Sequence, residues 1–265
     1  MAYLSLLFIS FWTFFTLETP SLPKKPKLIW SDEFNYQGQP DPKKWVPEEG
    51  YIRNKELQFY TKGRLENARV ENGNLVIEAR HDSLLVNGKK VPVTSASLTT
   101  QGTGEWQYGR IEVRAKIPSA RGTWPAIWML GKNIKEVGWP ASGEIDIMEN
   151  VGYDPDTVHF NVHTKAYNHT KNTNKGRKVG LAKPSADYHV YAVDWNKDKI
   201  DFWLDNKVVF TFKNEGTGTD TWPFNQPFYL ILNLAIGGGW GGQKGVDMTA
   251  LPQKFYIDYV RVYQL

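Results

Sequence analysis

Glu144, Asp146 and Glu149 lie within the six residues Glu144-Ile145-Asp146-Ile147-Met148-Glu149, and everything between them is apolar. A strand turns successive side chains to opposite faces. Glu144 and Asp146 therefore share one face, and Ile145 and Ile147 the other. Glu149 stands five positions from Glu144. A regular strand would send it into the core, where a lone charge is costly. One extra residue in a β-bulge, at Ile147 or Met148, returns it to the side of Glu144. All three acids then line one surface. The two glutamates come to roughly 5–6 Å apart, a spacing at which one carboxylate attacks an anomeric carbon while the other protonates the leaving oxygen. Asp146 between them holds a proton or a hydrogen bond and keeps their pKa values apart, since like charges this close cannot all ionise at neutral pH. Spacing alone leaves two other readings open: the acidic edge of a solvated strand, and a cation site.

The segments that must position these acids read as strands. Residues 110–117 alternate, with Ile111, Val113, Ala115 and Ile117 inward and Glu112, Arg114 and Lys116 outward. Residues 74–80 and 157–164 alternate in the same way. Asn87-Gly88 between two apolar runs is a hairpin signal. Residues 188–195, 199–204 and 208–212, separated by polar turns, predict a β-meander. Residues 228–235 are almost continuously apolar, as in a central strand buried on both faces. Residues 28–34 and 255–263 open and close the series. Residues 40–63 read as mostly loop, and the polar stretch 167–184 as an exposed loop. No long helical period occurs, so the pattern is that of an all-β sandwich or barrel in one domain. Trp124 stands four positions from Trp128 and shares its strand face if no bulge intervenes. Trp240 sits among glycines at residues 237–242, which let the loop lie close to a ligand and make this ring a candidate sugar platform.

Composition narrows the function. The 265-residue chain can bury an ample core, and its formal charge of +4 is spread out. No basic block follows Lys24-Lys25-Pro26-Lys27, which argues against a nucleic-acid partner. Cysteine is absent, which excludes disulfides, a thiol nucleophile, thiolate metal sites and a lipidated N-terminal cysteine. The 11 tryptophans favour a carbohydrate ligand, because flat rings stack on sugar faces, although such rings also fill cores. Residues 4–17 are apolar but too short for a comfortable membrane span, like the core of a secretory signal. An uncleaved anchor is the alternative. The expectation is a signal at residues 1–21, a Pro- and Lys-rich linker at 22–27, no stable membrane insertion, a secreted or periplasmic location, and a monomer.

The acid run resembles the Glu-x-Asp-x-x-Glu signature of glycoside hydrolase family 16, in its laminarinase-like, bulge-containing branch. Similar matches recur along the chain: Trp30-Ser31-Asp32-Glu33-Phe34, Glu56-Leu57-Gln58-Phe59-Tyr60-Thr61, Asn72-Gly73-Asn74-Leu75, Trp124-Pro125-Ala126-Ile127-Trp128-Met129-Leu130, Asn233-Leu234-Ala235-Ile236-Gly237-Gly238 and Asp258-Tyr259-Val260-Arg261-Val262-Tyr263. The resemblance implies that residues 28–265 form a catalytic β-jelly-roll of two curved antiparallel sheets, concanavalin A-like, with a glycan in the concave groove. It implies retaining endo-hydrolysis of β-1,3-glucosidic bonds in laminarin-like β-glucan through a covalent intermediate. Glu144 would be the nucleophile, Glu149 the acid/base and Asp146 their partner. Trp128 and Trp139 match aromatic residues near the scissile bond, His163 a histidine near the two glutamates, and Asn54 a sugar-binding asparagine. Lys55 departs from the second asparagine often found there, and Ser97 stands where many relatives carry arginine. No cofactor is implied for catalysis. Glu33, Gly73 and Asp258 match a structural calcium site on the convex side. Other substrates remain: mixed-linkage β-1,3-1,4-glucan or a marine galactan. Sulfated chains call for extra Arg or Lys in the cleft, and no such cluster stands near the acid run, so neutral glucan is preferred. A non-catalytic glucan-binding protein would have lost one or both glutamates, and here both are present.

Overall fold

The structure, a computed structural model, describes Met1 and residues 26–265. The expected leader, Met1 aside, and most of the linker lie outside the described residues. Alternation builds the first sheet. In Gly109–Lys116 buried and half-buried residues alternate without a break. Ile111, Val113 and Ala115 are fully buried. This strand pairs with His189–Trp195 on one side and Gln253–Gln264 on the other. The meander His189–Trp195, Lys199–Leu204, Lys207–Lys213 runs out to one edge of the ten-stranded sheet. The hairpin joins Asn74–Val86 to Lys89–Ser95 through Asn87 (φ 49) and Gly88 (φ 74). Both residues are left-handed, as a two-residue hairpin turn that follows strand twist requires.

The second sheet carries the acids. Its strands run, from one edge, Lys175–Gly180, Thr157–His163, Glu144–Glu149, Thr123–Gly131, Phe228–Ile236, Ser97–Thr99 and Val46–Pro47, all antiparallel. Every residue of Phe228–Ile236 is buried, as its apolar run predicts for a central strand. One apolar cluster joins the sheets, with Ile111, Val113, Val260 and Val262 from the first and Ile127, Ile145, Leu232 and Leu234 from the second. Each large side chain so buried is worth about 1.5–3 kcal/mol. The result is an all-β, two-sheet jelly roll.

The acid strand carries one residue too many. Against Thr123–Gly131, Ile127 faces Met148 and Trp128 faces Asp146, so Ile147 has no opposite number. Against Thr157–His163, Asn161 faces Asp146 and His159 faces Glu149, again with one residue extra on the acid strand. Ile147 and Met148 are both 0% exposed. The bulge thus sinks two consecutive apolar side chains and brings the next residue back to the opposite face.

Two loop expectations are corrected. The polar stretch 167–184 is not loop throughout: it holds a 3-10 turn, His169–Lys171, and the edge strand Lys175–Gly180. That strand buries no side chain fully and shows little alternation; backbone pairing to Thr157–His163 and half-buried Val179 against the core secure it. The glycine segment contains a helical turn, Gly238–Gly241.

Gly131, at the end of the strand beside the acids, lies against the backbone that leads into Glu144. A Cβ there would fall 2.2 Å from the Ser142 carbonyl oxygen. Gly131→Ala should therefore lower stability by about 2 kcal/mol, as overpacking does, and chemical denaturation would show it as an earlier midpoint with an unchanged slope.

Candidate active site

A cleft of about 1040 Å³ opens over the second sheet. Glu144, Asp146, Glu149, Asn54, Trp124, Trp128, Trp139, His163 and Trp240 all line it. The structure therefore gathers all nine residues that sequence reading placed at the reaction or against the sugar. The bulge lies on the acid strand and leaves the neighbouring one regular, so Trp124 and Trp128 do share a face.

Each glutamate receives an indole N–H. Trp139 Nε1 donates to Glu144 Oε2 at 2.9 Å, and Trp124 Nε1 donates to Glu149 Oε1 at 3.0 Å. Asp146 is 2% exposed. His163 Nε2 lies 3.3 Å from Asp146 Oδ2 and 3.7 Å from Glu144 Oε1. Neither Asp146 Oδ2 nor His163 Nδ1 has a hydrogen-bond partner. Trp139 also packs over the His169 ring, with centroids 5.0 Å apart, and Trp240 stands edge-on to Trp124 at 5.4 Å.

Burial pushes all three carboxyls above their usual range, and a neighbouring carboxylate adds to the rise at Glu144 and Asp146. For Glu144 burial acts first and the charge of Asp146 second, with His163 opposing. For Asp146 burial acts first and the charge of Glu149 second. Burial raises Glu149, and the Trp124 hydrogen bond opposes it. The cluster therefore retains protons at pH values where exposed acids would have lost them. Glu144, Asp146 and His163 also bring donor atoms within 4.8 Å of one another, so the cation reading is geometrically open as well.

Three cleft features escaped the sequence reading. Arg53 reaches the place where Ser97 replaces the relatives' arginine. Its Nη2 donates to Ser97 Oγ at 3.1 Å and pairs with Glu48, while its guanidinium lies 4.9 Å over the Trp128 ring. An arginine supplied by a different loop leaves no local signal at residue 97. His159, buried beside Glu149, stands on the cleft face of its strand, while Val158 and Phe160 on either side of it enter the core, and nothing local to the strand marks it out. Arg177 and Lys178 border the cleft, with Lys178 opposite His159 on its face and Arg177 opposite core-facing Phe160. Strand pairing brings them there from a segment read as loop.

Beneath the cleft, Glu56 accepts from Asn54 Nδ2 at 3.2 Å, Gln58 Nε2 at 2.7 Å and the Tyr60 hydroxyl at 2.9 Å. Asn54 is thus tethered, and its carbonyl accepts from Gly239 N at 2.9 Å, tying it to the loop of Trp240. The residues expected to hold calcium look different. Arg261 forks onto Glu33 at 2.8 and 3.0 Å, and Arg114 pairs with Asp258. The oxygen donors suit calcium, but both carboxylates already face a guanidinium.

The family model for glycosyl hydrolases family 16 matches residues 55–261. A β-glucanase of Rhodothermus marinus is 50% identical over 248 residues, covering 90% of this chain and 85% of its own. The crystal structure of a laminarinase from Rhodothermus marinus superimposes with a TM-score of 0.86 at 48% identity, covering 91% of this chain and 98% of the other. A non-specific endo-β-1,3(4)-glucanase of family 16, crystallised with a gluco-oligosaccharide at its active site, gives 0.87 at 50% identity, covering 92% and 97%.

The raised carboxyls mean that the folded chain binds more protons than the unfolded one. The cluster therefore costs stability increasingly as pH rises from the unfolded carboxylate value, about 4, through the raised values. Asp146→Asn should melt higher than the parent at pH 7, with the gap closing as pH falls toward 4. Thermal melts across that range check the sign.

Proposed function

The chain belongs to the glycosyl hydrolases of family 16, and from that premise we infer how its cleft performs endo-hydrolysis of β-1,3-glucan. It is a glycoside hydrolase of the laminarinase type. The observation that carries the mechanism is the bulge, which turns Glu144 and Glu149 to one side of a glucan-sized cleft. Glu144 attacks the anomeric carbon. Glu149, held protonated by burial, delivers its proton to the departing glycosidic oxygen. Asp146 keeps a proton between them and donates toward Glu144, which leaves the negative charge on the nucleophile. A water, deprotonated by Glu149, then releases the covalent glycosyl-enzyme with retained configuration. Trp124, Trp128, Trp139 and Trp240 offer faces and edges to successive sugars, and Asn54 and His163 offer hydrogen bonds. Neutral laminarin-like glucan is the first substrate, and mixed-linkage glucan is the second reading, favoured by the relative described as non-specific. The cleft supports hydrolysis over glucan binding alone, because both glutamates are present and each receives an indole donor.

A polymeric substrate and the apolar run at residues 4–17 together support a secreted or periplasmic location. Among the described residues no helix is long and apolar enough to cross a membrane. Catalysis needs no cofactor. Calcium at Glu33, Gly73 and Asp258 would share the two carboxylates with Arg261 and Arg114 or bind through backbone carbonyls, and no stabilising ion is assumed in this reading.

Two outcomes follow. Wild-type protein should release reducing sugar from laminarin, giving the β-anomer first by NMR, and Glu144→Gln should lose about 10⁴-fold or more in kcat. Full activity in that variant would contradict the assigned nucleophile. Chelation by EDTA should leave the melting temperature unchanged, whereas a clear rise on adding calcium would restore the metal site.

A further inference from the structure

The two indole donors are not held alike. Trp124 belongs to the strand Thr123–Gly131, which is paired on both sides. Trp139 stands in the turn before the acid strand, outside any strand, and is 37% exposed. Its indole N–H nevertheless reaches Glu144 Oε2 at 2.9 Å. An exposed side chain on a turn has several rotamers open to it, and one hydrogen bond does not fix a ring plane. Precise geometry at a site needs rotamers locked by packing, so another group has to hold this ring.

The imidazole of His169 does so. Its centroid lies 5.0 Å from the Trp139 ring at an interplanar angle of 34°, and 5.2 Å from the His163 ring. His163 is in turn 5.9 Å from Trp139, so the three rings close a triangle, and Glu144 lies beside two of its corners, Trp139 and His163. The turn that presents His169 is tightly built. Asn168, 1% exposed, donates through Nδ2 to the carbonyls of Thr164 at 3.1 Å and Lys165 at 3.4 Å, and accepts from the Thr170 hydroxyl at 2.6 Å. Thr173 N closes the loop onto the Asn168 carbonyl at 3.1 Å, and Asn172 ends the turn in the left-handed conformation, φ 54. The loop thus leaves the sheet at one imidazole and comes back over the indole with the other. Burial, and then the His163 charge, hold the His169 pKa below its usual 6.5, so the ring is neutral at pH 7 and acts by its shape.

We propose that His169 is a positioning residue for the nucleophile, acting through Trp139: its ring is the wall that keeps the indole N–H turned onto Glu144 Oε2. The proposal deepens the hydrolase reading and rests on its assignment of Glu144. Direct contact with sugar is the other role open to an exposed ring in a cleft, and packing against Trp139 favours the brace.

The test compares His169→Ala, which removes the wall, with His169→Phe, which restores a flat ring without nitrogens, each alone and in a Trp139→Phe background, on laminarin. Thermal melts check that each variant folds. H169A should lose about tenfold in kcat/KM and H169F less than about twofold, as when one hydrogen bond to a charged group is weakened and then restored. With Asp146, Glu149 and His163 unchanged around it, Glu144 loses in H169A the donor that lowers its pKa. The acid limb of the kcat/KM profile should therefore move to higher pH in H169A and stay in place in H169F. In the Trp139→Phe background, H169A should add no further loss. Equal damage from Ala and Phe, or losses that multiply across the two positions, would mark a sugar contact and overturn the brace, and so would an acid limb that does not move. One readout needs no turnover. The Trp139 indole N–H signal in a proton–nitrogen correlation spectrum, identified by its loss in Trp139→Phe, should exchange faster with solvent in H169A and regain protection in H169F. If wild-type protein fails on laminarin while that signal behaves so, the hydrolase reading falls and the brace stands; unchanged protection in H169A sinks the brace whatever the activity.

Discussion

One supernumerary residue in a six-residue strand governs the molecule. Ile147 and Met148 both enter the core, so the acids on either side of them can both face the cleft. Without the bulge, alternation would set Glu149 against the apolar cluster that joins the two sheets, and the fold would carry an unpaired charge at its centre. Packing and chemistry are here the same constraint. The core accepts two adjacent side chains because the ladder slips on both flanks at once, against Ile127 and Trp128 on one side and His159 and Asn161 on the other.

Around that slip the sheet works as a template. Strands distant in sequence are neighbours in space, so Trp124 and Trp128, the three acids, and His159 and His163 form successive rows on one face. The loops at the rim are bound to the sheet and to each other by backbone. Leu57 N donates to the Ile236 carbonyl, and Gly239 N donates to that of Asn54. The site is thus largely assembled before any ligand arrives, which is what preorganised catalysis requires.

Much of this was legible in the residues alone. Strand alternation at Gly109–Lys116, the Asn87-Gly88 turn and the buried run at Phe228–Ile236 each follow from local chemistry. The bulge was legible because an odd spacing of acids conflicts with a period of two. Three features were not, and for a common reason. The Lys175–Gly180 strand half-buries only Val179, Arg53 reaches Ser97 from another segment, and His159 is defined by the Glu149 it faces across the ladder. Each depends on who the neighbour is across a ladder or a loop, which periodicity along one segment does not encode. The calcium expectation involves such neighbours too, since Arg261 and Arg114 pair with two of the carboxylates in the matched site.

The two indole donors have a subtler result. A free carboxyl group has two equivalent oxygens and could enter the reaction through either. Trp139 takes Oε2 of Glu144, and Trp124 takes Oε1 of Glu149. Each side chain is thereby desymmetrised, with one oxygen held by an indole and the other set among different neighbours, Oε1 of Glu144 lying on the His163 side. The orientation of the attacking and proton-delivering carboxyls is thus constrained by two tryptophan rings before the glycan binds.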